Sequence, residues 1–161
     1  MATHDHTALG EFLHRYWFDY DEGNLARIAT LLTDDVHSSS RTDSGMHPHE
    51  DFIHSDEHGR DAAIAWMVDH RRNSPYPLRH NMTNIHIVAE RDDEIDVAGY
   101  LMVTRITNGR PDLMSTGISR FTLCLTDEGY RISSKATVLD LTESVEFHAS
   151  ELVRDRMHDW P

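Results

Sequence analysis

The chain has 161 residues, of which 39% are hydrophobic and 27% are charged, and this composition predicts one soluble globular domain over residues 1–161. A formal net charge of −13 argues against nucleic acid and anionic membrane as partners, because both require a basic surface. Short apolar runs exclude a transmembrane helix, no signal peptide is visible, and the single cysteine, Cys124, fits a reducing compartment, so we expect a cytoplasmic protein.

Two helices are predicted at the start of the chain. Thr7 can cap the first, over residues 8–20, whose apolar side chains recur at helical spacing along one broad face. Residues 21–24 end this helix, and Asn24 can cap a shorter one over residues 25–32. Residues 33–35 then predict a turn and residues 36–38 a short extended piece.

A polar, histidine-rich loop is predicted over residues 39–58. Histidines and carboxylates at close spacing can ligate zinc, nickel or copper. Pro48 and the polar run favour a mobile loop, so we expect no metal site, with an adventitious surface site as the alternative. The loop precedes a third helix that follows Gly59 over residues 60–72. It can therefore cover a pocket mouth as a lid, with Phe52 or His54 touching a ligand.

Strand signals follow in succession over residues 78–90, 95–107, 112–125 and 130–141, and hairpin-type turns join them. A last helix is predicted over residues 144–158. Helices first and an antiparallel meander afterwards indicate an α+β fold.

The first strand of the meander has an unusual polar face. Alternation along a strand places His80, Met82 and Asn84 on one face, and Ile85 and Ile87 on the other. A row of imidazole, thioether and amide groups predicts a sheet that lines a pocket. The apolar row needs cover on the outer face, so we expect a homodimer.

The order of these elements resembles the SnoaL-like branch of the nuclear-transport-factor-2-like superfamily. The residues that carry the resemblance are Tyr16 and Asp21 ahead of residues 24–36, the glycine-started helix at residues 59–67, Arg79-His80 with Thr83-Asn84, and residues 127–132 before Lys135. The resemblance implies a curved antiparallel sheet wrapped around N-terminal helices, a cystatin-like α+β barrel with a conical pocket. The superfamily includes ketosteroid isomerases, dehydratases, polyketide cyclases and non-catalytic subunits, so this fold does not give the function.

The resemblance also implies a catalytic pair. In dehydratase-like members a strand histidine abstracts a proton while a carboxylate at the end of the first helix orients it, and His80 and Asp21 match those positions. Imidazole can accept a proton near neutral pH, and a carboxylate on its other nitrogen stabilises the imidazolium. Tyr16 matches a tyrosine that binds the leaving or enolising oxygen. The alternative is structural: a helix terminator, a core tyrosine and a core histidine.

The predicted pocket wall is rich in aromatic and methionine side chains, which favour a flat or polycyclic apolar ligand. The predicted substrate-binding residues are Trp17, Tyr20, Trp66, Met82, Asn84, Tyr100, Met102, Ser119 and Phe121, with Leu139 beside them. Ser119 and Phe121 stand where family members often carry tyrosine and aspartate, so the accessory acid of some dehydratases is missing.

These residues favour an enzyme of the lyase or isomerase type that needs no cofactor. It would act on a hydrophobic, polycyclic or polyketide-like molecule, with proton abstraction leading to dehydration, isomerisation or cyclisation. The alternative is a non-catalytic ligand-binding or assembly subunit that resembles the small subunits of ring-hydroxylating dioxygenases. An open cavity with His80 within hydrogen-bond reach of Asp21 favours the enzyme, and a filled cone with an apolar outer face favours the subunit.

Overall fold

A computed structural model describes residues 5–146 of the chain. Its elements, in chain order, are α1 (His6–Asp21), α2 (Leu25–Leu31), β1 (Leu32–Thr42), α3 (Glu50–Ile53), β2 (Ser55–His58), α4 (Arg60–Asn73), β3 (Leu78–Glu90), β4 (Glu94–Thr107), β5 (Arg110–Thr126) and β6 (Gly129–Asp140). Residues 144–146 are not helical, and the rest of the helix predicted over residues 144–158 lies outside the described residues.

The six strands form one curved, unclosed sheet in the order β2-β1-β6-β5-β4-β3. Strands β3 to β6 are the predicted antiparallel meander, whereas β1 pairs with β6 in parallel. The sheet is therefore mixed, and β2 and β3 are its edge strands. Helix α1 packs against β3 and helix α4 against β1, which confirms the predicted α+β arrangement of a sheet curved around helices.

Helix α1 supplies the centre of the hydrophobic core. Leu9, Leu13, Tyr16 and Tyr20 recur at a spacing of three or four residues, so they form one stripe, and all four are buried against the sheet. None of the helices within residues 5–146 has the length and hydropathy needed to cross a membrane.

The two predicted helix caps differ from the observed ones. Asp5, not Thr7, caps α1, because its carboxylate accepts a hydrogen bond from the Thr7 amide at 2.8 Å. The Asn24 side chain makes no capping hydrogen bond to α2. It instead donates to the buried carboxylate of Asp19 at 3.0 Å and ties the end of α1 to the start of α2.

The segment predicted as a loop, residues 39–58, is largely structured. Strand β1 runs through the predicted turn at residues 33–35 and continues to Thr42, and α3 and β2 follow. The Ser40 hydroxyl donates to the carbonyl oxygen of Ile53 and lies 2.9 Å from the hydroxyl of Ser55. Buried polar side chains with hydrogen-bond partners replace the apolar alternation by which strands are recognised, so the prediction of a loop is wrong.

Strand β3 contains a β-bulge. Its register with β4 shifts between Thr83 and His86, and Asn84 within the shift has a positive φ of 54°. The opposing backbone approaches closely here, since a Cβ on Gly99 would lie 2.8 Å from the carbonyl oxygen of Thr83. Glycine at position 99 is what allows the bulge to form.

The bulge reverses which side chains of β3 point inward. Met82 is buried before it, whereas Ile85 and Ile87 pack against the same core after it. The prediction that Ile85 and Ile87 lie on the opposite face from His80 is therefore wrong, because one extra residue inverts the alternation. An outward-facing apolar row at Ile85 and Ile87 therefore cannot support a homodimer, and the homodimer stays a prediction.

Candidate active site

A cavity of about 500 Å³ lies between α1, α4 and the inner face of the sheet. Its volume falls in the range of small-molecule pockets, roughly 300–1,000 Å³. Aromatic and apolar side chains such as Trp17, Trp66 and Leu101 line it, together with His80. The cone predicted from the sequence is thus an open cavity.

His80 and Asp21 form a hydrogen-bonded pair at this cavity. His80 Nδ1 lies 2.6 Å from Asp21 Oδ1, and the His80 backbone amide donates to Asp21 Oδ2 at 2.7 Å. Both side chains are almost buried, with 9% of His80 and 5% of Asp21 exposed. Because the carboxylate accepts from Nδ1, it fixes the tautomer in which Nε2 is the nitrogen that can take a proton.

Neighbouring groups hold both members of the pair. The Trp17 ring stacks on the His80 ring with centroids 4.8 Å apart and planes 11° from parallel, and Tyr20 packs edge-on at 5.2 Å. The guanidinium of Arg71 donates to the backbone carbonyl of Asp21 at 2.8 and 3.3 Å. The orientation of the imidazole is therefore set by packing as well as by the carboxylate.

Tyr16 of α1 lines the cavity on the side of the hydrophobic core. Its side chain is fully buried, and its hydroxyl has no hydrogen-bond partner among residues 5–146. Burial, and to a lesser degree the neighbouring Tyr20, raise the pKa of Tyr16, so its phenol stays protonated. A neutral phenol with an unused proton can donate to a ligand oxygen.

A second histidine of the cavity, His70 on α4, is not predicted from the sequence. The Tyr20 hydroxyl lies 2.5 Å from its Nδ1, and its ring packs between Phe52 at 4.5 Å and Trp66 at 4.6 Å. Burial lowers the pKa of His70 to about 4, and the nearby His80 adds to the effect. His70 is therefore neutral at pH 7. Its position four residues after Trp66, on the same helix face, was the available signal.

Lys135 on β6 is another cavity residue that sequence reasoning missed. It is the only lysine of the chain, and 6% of it is exposed. Its Nζ lies 5.4 Å from the centroid of the Trp17 ring, and burial lowers the pKa of the ammonium from 10.5 to about 8. Among the described residues no carboxylate forms an ion pair with it. The available signal was that all other Lys and Arg positions of the chain are arginine.

The predicted substrate-binding residues fall into groups. Those that line the cavity, as does Leu139, are Trp17, Tyr20 and Trp66. Those that are buried in the core without reaching its wall are Met82, Ser119 and Phe121. Those that are exposed away from it are Asn84, Tyr100 and Met102.

Strand register explains the residues that point away. His80 pairs with Val103 across β3 and β4, and residues directly opposite each other share a face. Leu101 and Val103 therefore line the cavity, while Tyr100 and Met102 are 55% and 39% exposed on the outer face. The sequence prediction chose the wall residues of β4 by chemical type, because the strand register was not known. It therefore assigned outward-facing residues to the cavity wall.

Part of the histidine-rich segment reaches the cavity. His47 and His49, just before α3, line its wall together with Phe52 and Ile53 of α3 itself. His54, which was expected to touch a ligand, is not in the wall. The segment covers one side of the cavity, as a lid would. Its role as a lid stays a prediction.

A candidate metal-donor set lies on the sheet edge, where His37 of β1 faces Asp56 and His58 of β2. His37, Asp56 and His58 have donor atoms within 4.8 Å of one another, and His37 Nε2 lies 2.7 Å from Asp56 Oδ1. A metal ion must lie in the ring plane of each imidazole that binds it. The two histidine rings are stacked 4.4 Å apart and only 4° from parallel, so they must rotate before both could bind one ion.

Comparison with known proteins identifies the family. The family model of the SnoaL-like domain matches residues 1–136 of the chain, as the resemblance in the sequence implies. No curated protein gives a significant sequence match.

Solved structures share the fold at low sequence identity. An NTF2-like protein with a cystatin-like fold from Novosphingobium aromaticivorans is 20% identical with a TM-score of 0.66, over 86% of this chain and 83% of that one. The β subunit of benzoate 1,2-dioxygenase from Burkholderia mallei is 17% identical with a TM-score of 0.66, over 89% and 97%. A proposed scytalone dehydratase from N. aromaticivorans is 19% identical with a TM-score of 0.65, over 89% and 88%. At these identities the likeness concerns the fold alone.

Proposed function

The chain belongs to the SnoaL-like domain family, and from this premise we propose that it is a cofactor-independent enzyme that abstracts a proton from a hydrophobic, ring-containing small molecule. The observation that carries the proposal is the 2.6 Å contact between His80 Nδ1 and Asp21 Oδ1 at an open cavity. The reaction class is that of a lyase or isomerase: dehydration, isomerisation or cyclisation.

In the proposed mechanism, His80 Nε2 removes a proton from a carbon of the bound substrate. Asp21 stabilises the imidazolium that forms, since its carboxylate already accepts the Nδ1 proton. The Tyr16 hydroxyl, which has no hydrogen-bond partner within the described part of the chain, donates to the oxygen on which negative charge develops, a contribution of about 3 kcal/mol when the geometry is good. The imidazolium then returns the proton to a neighbouring carbon or to a leaving oxygen.

The cavity wall supports a flat, apolar substrate. Trp17, Trp66 and Phe52 present aromatic rings to the same space, and Leu101 and Val103 close it on the sheet side. Such a wall favours stacked ring systems over extended aliphatic chains.

A second candidate function is a non-catalytic assembly subunit. It is favoured by the likeness to a dioxygenase β subunit and by the apolar side chains exposed on β4, namely Tyr100, Met102 and Ile106. A subunit of this kind has no use for a buried histidine–carboxylate pair beside an open cavity, so the enzyme is the better supported function. A homodimer and a cytoplasmic location stay predictions.

Proton abstraction can be tested without knowing the natural substrate. A panel of polycyclic hydroxyketones is incubated with the protein in D₂O, and mass spectrometry detects loss of water or uptake of deuterium. His80→Gln and Asp21→Asn should each slow the reaction by about 10²-fold or more. His86→Gln is the matched control, because His86 is an exposed histidine of the same strand. Equal rates for the His80→Gln variant and the wild type would refute the mechanism, and no turnover of any compound would favour the assembly subunit.

A further inference from the structure

We propose that the cavity binds an aromatic substrate that carries an anionic oxygen, with Lys135 as its counter-ion. This inference rests on the proposed function for placing the substrate in this cavity, and it adds the chemical class. Three features support it: a buried ammonium with no carboxylate partner among residues 5–146, a cavity wall without acidic side chains in that same range, and buried donors that lack acceptors there.

The first feature is the position of Lys135. The other fourteen of the fifteen lysine and arginine residues are arginines, and the one lysine is buried at the cavity. Burial of an ammonium without a counter-ion is unfavourable. The Lys135 ammonium lies over the face of Trp17 and forms no ion pair with a carboxylate of residues 5–146. A pKa of about 8 leaves most of the side chain protonated at pH 7. An anion in the cavity would supply the missing charge.

The second feature is the charge of the wall. The chain contains 28 acidic residues and has a formal net charge of −13, yet no aspartate or glutamate of the described residues lines this cavity. The lysine, arginine and histidine side chains that line it are Lys135, Arg105, His47, His49, His70 and His80. Asp21 is not part of the wall, and both of its carboxylate oxygens are hydrogen-bonded to His80. A cavity that contains a buried lysine and no carboxylate is complementary to an anionic ligand, even though the protein as a whole is acidic.

The third feature is a set of buried donors. The Tyr16 hydroxyl and the Trp17 Nε1–H are buried without a hydrogen-bond partner among residues 5–146, and both side chains belong to the wall. A purely apolar ligand would leave these donors unpaired. A carboxylate or enolate oxygen accepts several hydrogen bonds at once, so an anionic ligand offers acceptors that a purely apolar ligand lacks.

Arg105 provides the contrast within the same cavity. Its guanidinium lies 3.5 Å from the carboxylate of Asp112, and 39% of its side chain is exposed. Its charge already has a carboxylate partner and its side chain is partly exposed, so we expect Arg105 to contribute less to anion binding than Lys135.

Calorimetric titration at pH 7 tests the proposal with two isosteric probes, 2-naphthoate and the neutral 2-naphthamide. The wild type should bind 2-naphthoate at least about tenfold more tightly. Lys135→Met should abolish this preference while binding 2-naphthamide as the wild type does, and Arg105→Met should keep it. Equal affinity of the wild type for both probes, or a preference that survives in Lys135→Met, would overturn the proposal.

A second measurement reads the ammonium directly. Because the chain has a single lysine, ¹³C-lysine labelling gives one side-chain Cε signal whose pH titration reports Lys135 alone. Bound 2-naphthoate should move its midpoint upward by about one pH unit or more, since an anion favours the protonated form, and 2-naphthamide should not. Binding of 2-naphthoate without this movement would refute the counter-ion role. Both measurements can use His80→Gln, so their outcome is independent of the proton-abstraction test.

Discussion

Replacement of Lys135 by methionine removes a buried charge and should raise the free energy of unfolding at neutral pH. Burial lowers the pKa of Lys135 from 10.5 in the unfolded chain to about 8, a difference of about 2.5. At 1.36 kcal/mol per pH unit, this corresponds to a destabilisation of about 3 kcal/mol by the charged side chain. Loss of the contact with the Trp17 ring offsets roughly 0.5–1 kcal/mol, which leaves a net gain of about 2 kcal/mol.

The gain should depend on pH in a defined direction. The folded state binds the lysine proton more weakly than the unfolded state, so the destabilisation is fully present below about pH 8 and declines as the pH rises towards 10.5. The difference between Lys135→Met and the wild type should therefore shrink from about 2 kcal/mol at pH 7 towards zero at pH 10. The thermal midpoint at pH 7 should rise by about 4–8 °C.

Urea denaturation at pH 7 and pH 10 measures this effect. Taking the difference between variant and wild type at each pH removes the titration of all other groups. Arg105→Met serves as the control, because the loss of its partly exposed and paired guanidinium should give a small difference at both pH values. A variant less stable than the wild type at pH 7, or a difference that does not change with pH, would show that the charge of Lys135 is not the destabilising element.

The remaining predictions concern the dyad, a histidine and a glycine. His80→Ala should lower activity by about 10²-fold or more and also destabilise the fold by roughly 1–3 kcal/mol, since it leaves the buried Asp21 carboxylate without its ring partner; kinetics and urea unfolding measure both. Because the pKa of His70 is lowered to about 4, stability is full above pH 6.5 and falls by at most about 3 kcal/mol as the pH drops to 4, and His70→Gln should flatten this part of the pH–stability curve. Gly99→Ala should destabilise by about 1–3 kcal/mol, because its Cβ meets a backbone oxygen at 2.8 Å, whereas Gly10→Ala in open space on α1 should stabilise by up to about 1 kcal/mol; thermal melts of the two variants compare them.

The helices and the meander could be predicted because their signals are local. Apolar residues at helical spacing indicate α1, and turn residues between β-rich runs separate β3 to β6. The pairing of Asp21 with His80 has a different origin. These residues are 59 positions apart, and only the resemblance to a fold family could bring them together. The distance of 2.6 Å agrees with that expectation.

The errors arise where a structure depends on non-local facts. One extra residue at Asn84 reverses the faces of β3, and nothing in the local pattern marks it. The burial of Ser40 in β1 could not be predicted, because the partners of its hydroxyl, Ile53 and Ser55, lie on a segment further along the chain. Lys135 is buried because its side chain lies on the inner face of β6 and contacts Trp17 of α1, which is distant in the sequence. Register and packing, not composition, decide all three.

The parallel pairing of β1 with β6 has a consequence for folding kinetics. Asp43, just after β1, accepts a hydrogen bond from the Leu141 amide 98 residues further along the chain. Closing so long a segment is entropically unfavourable until many contacts form together, which slows folding. Trp17 of α1 and Lys135 of β6 meet across the same closure. The cavity should therefore form no earlier than the pairing of β1 with β6, because Lys135 reaches its place beside Trp17 only when β6 has joined the sheet.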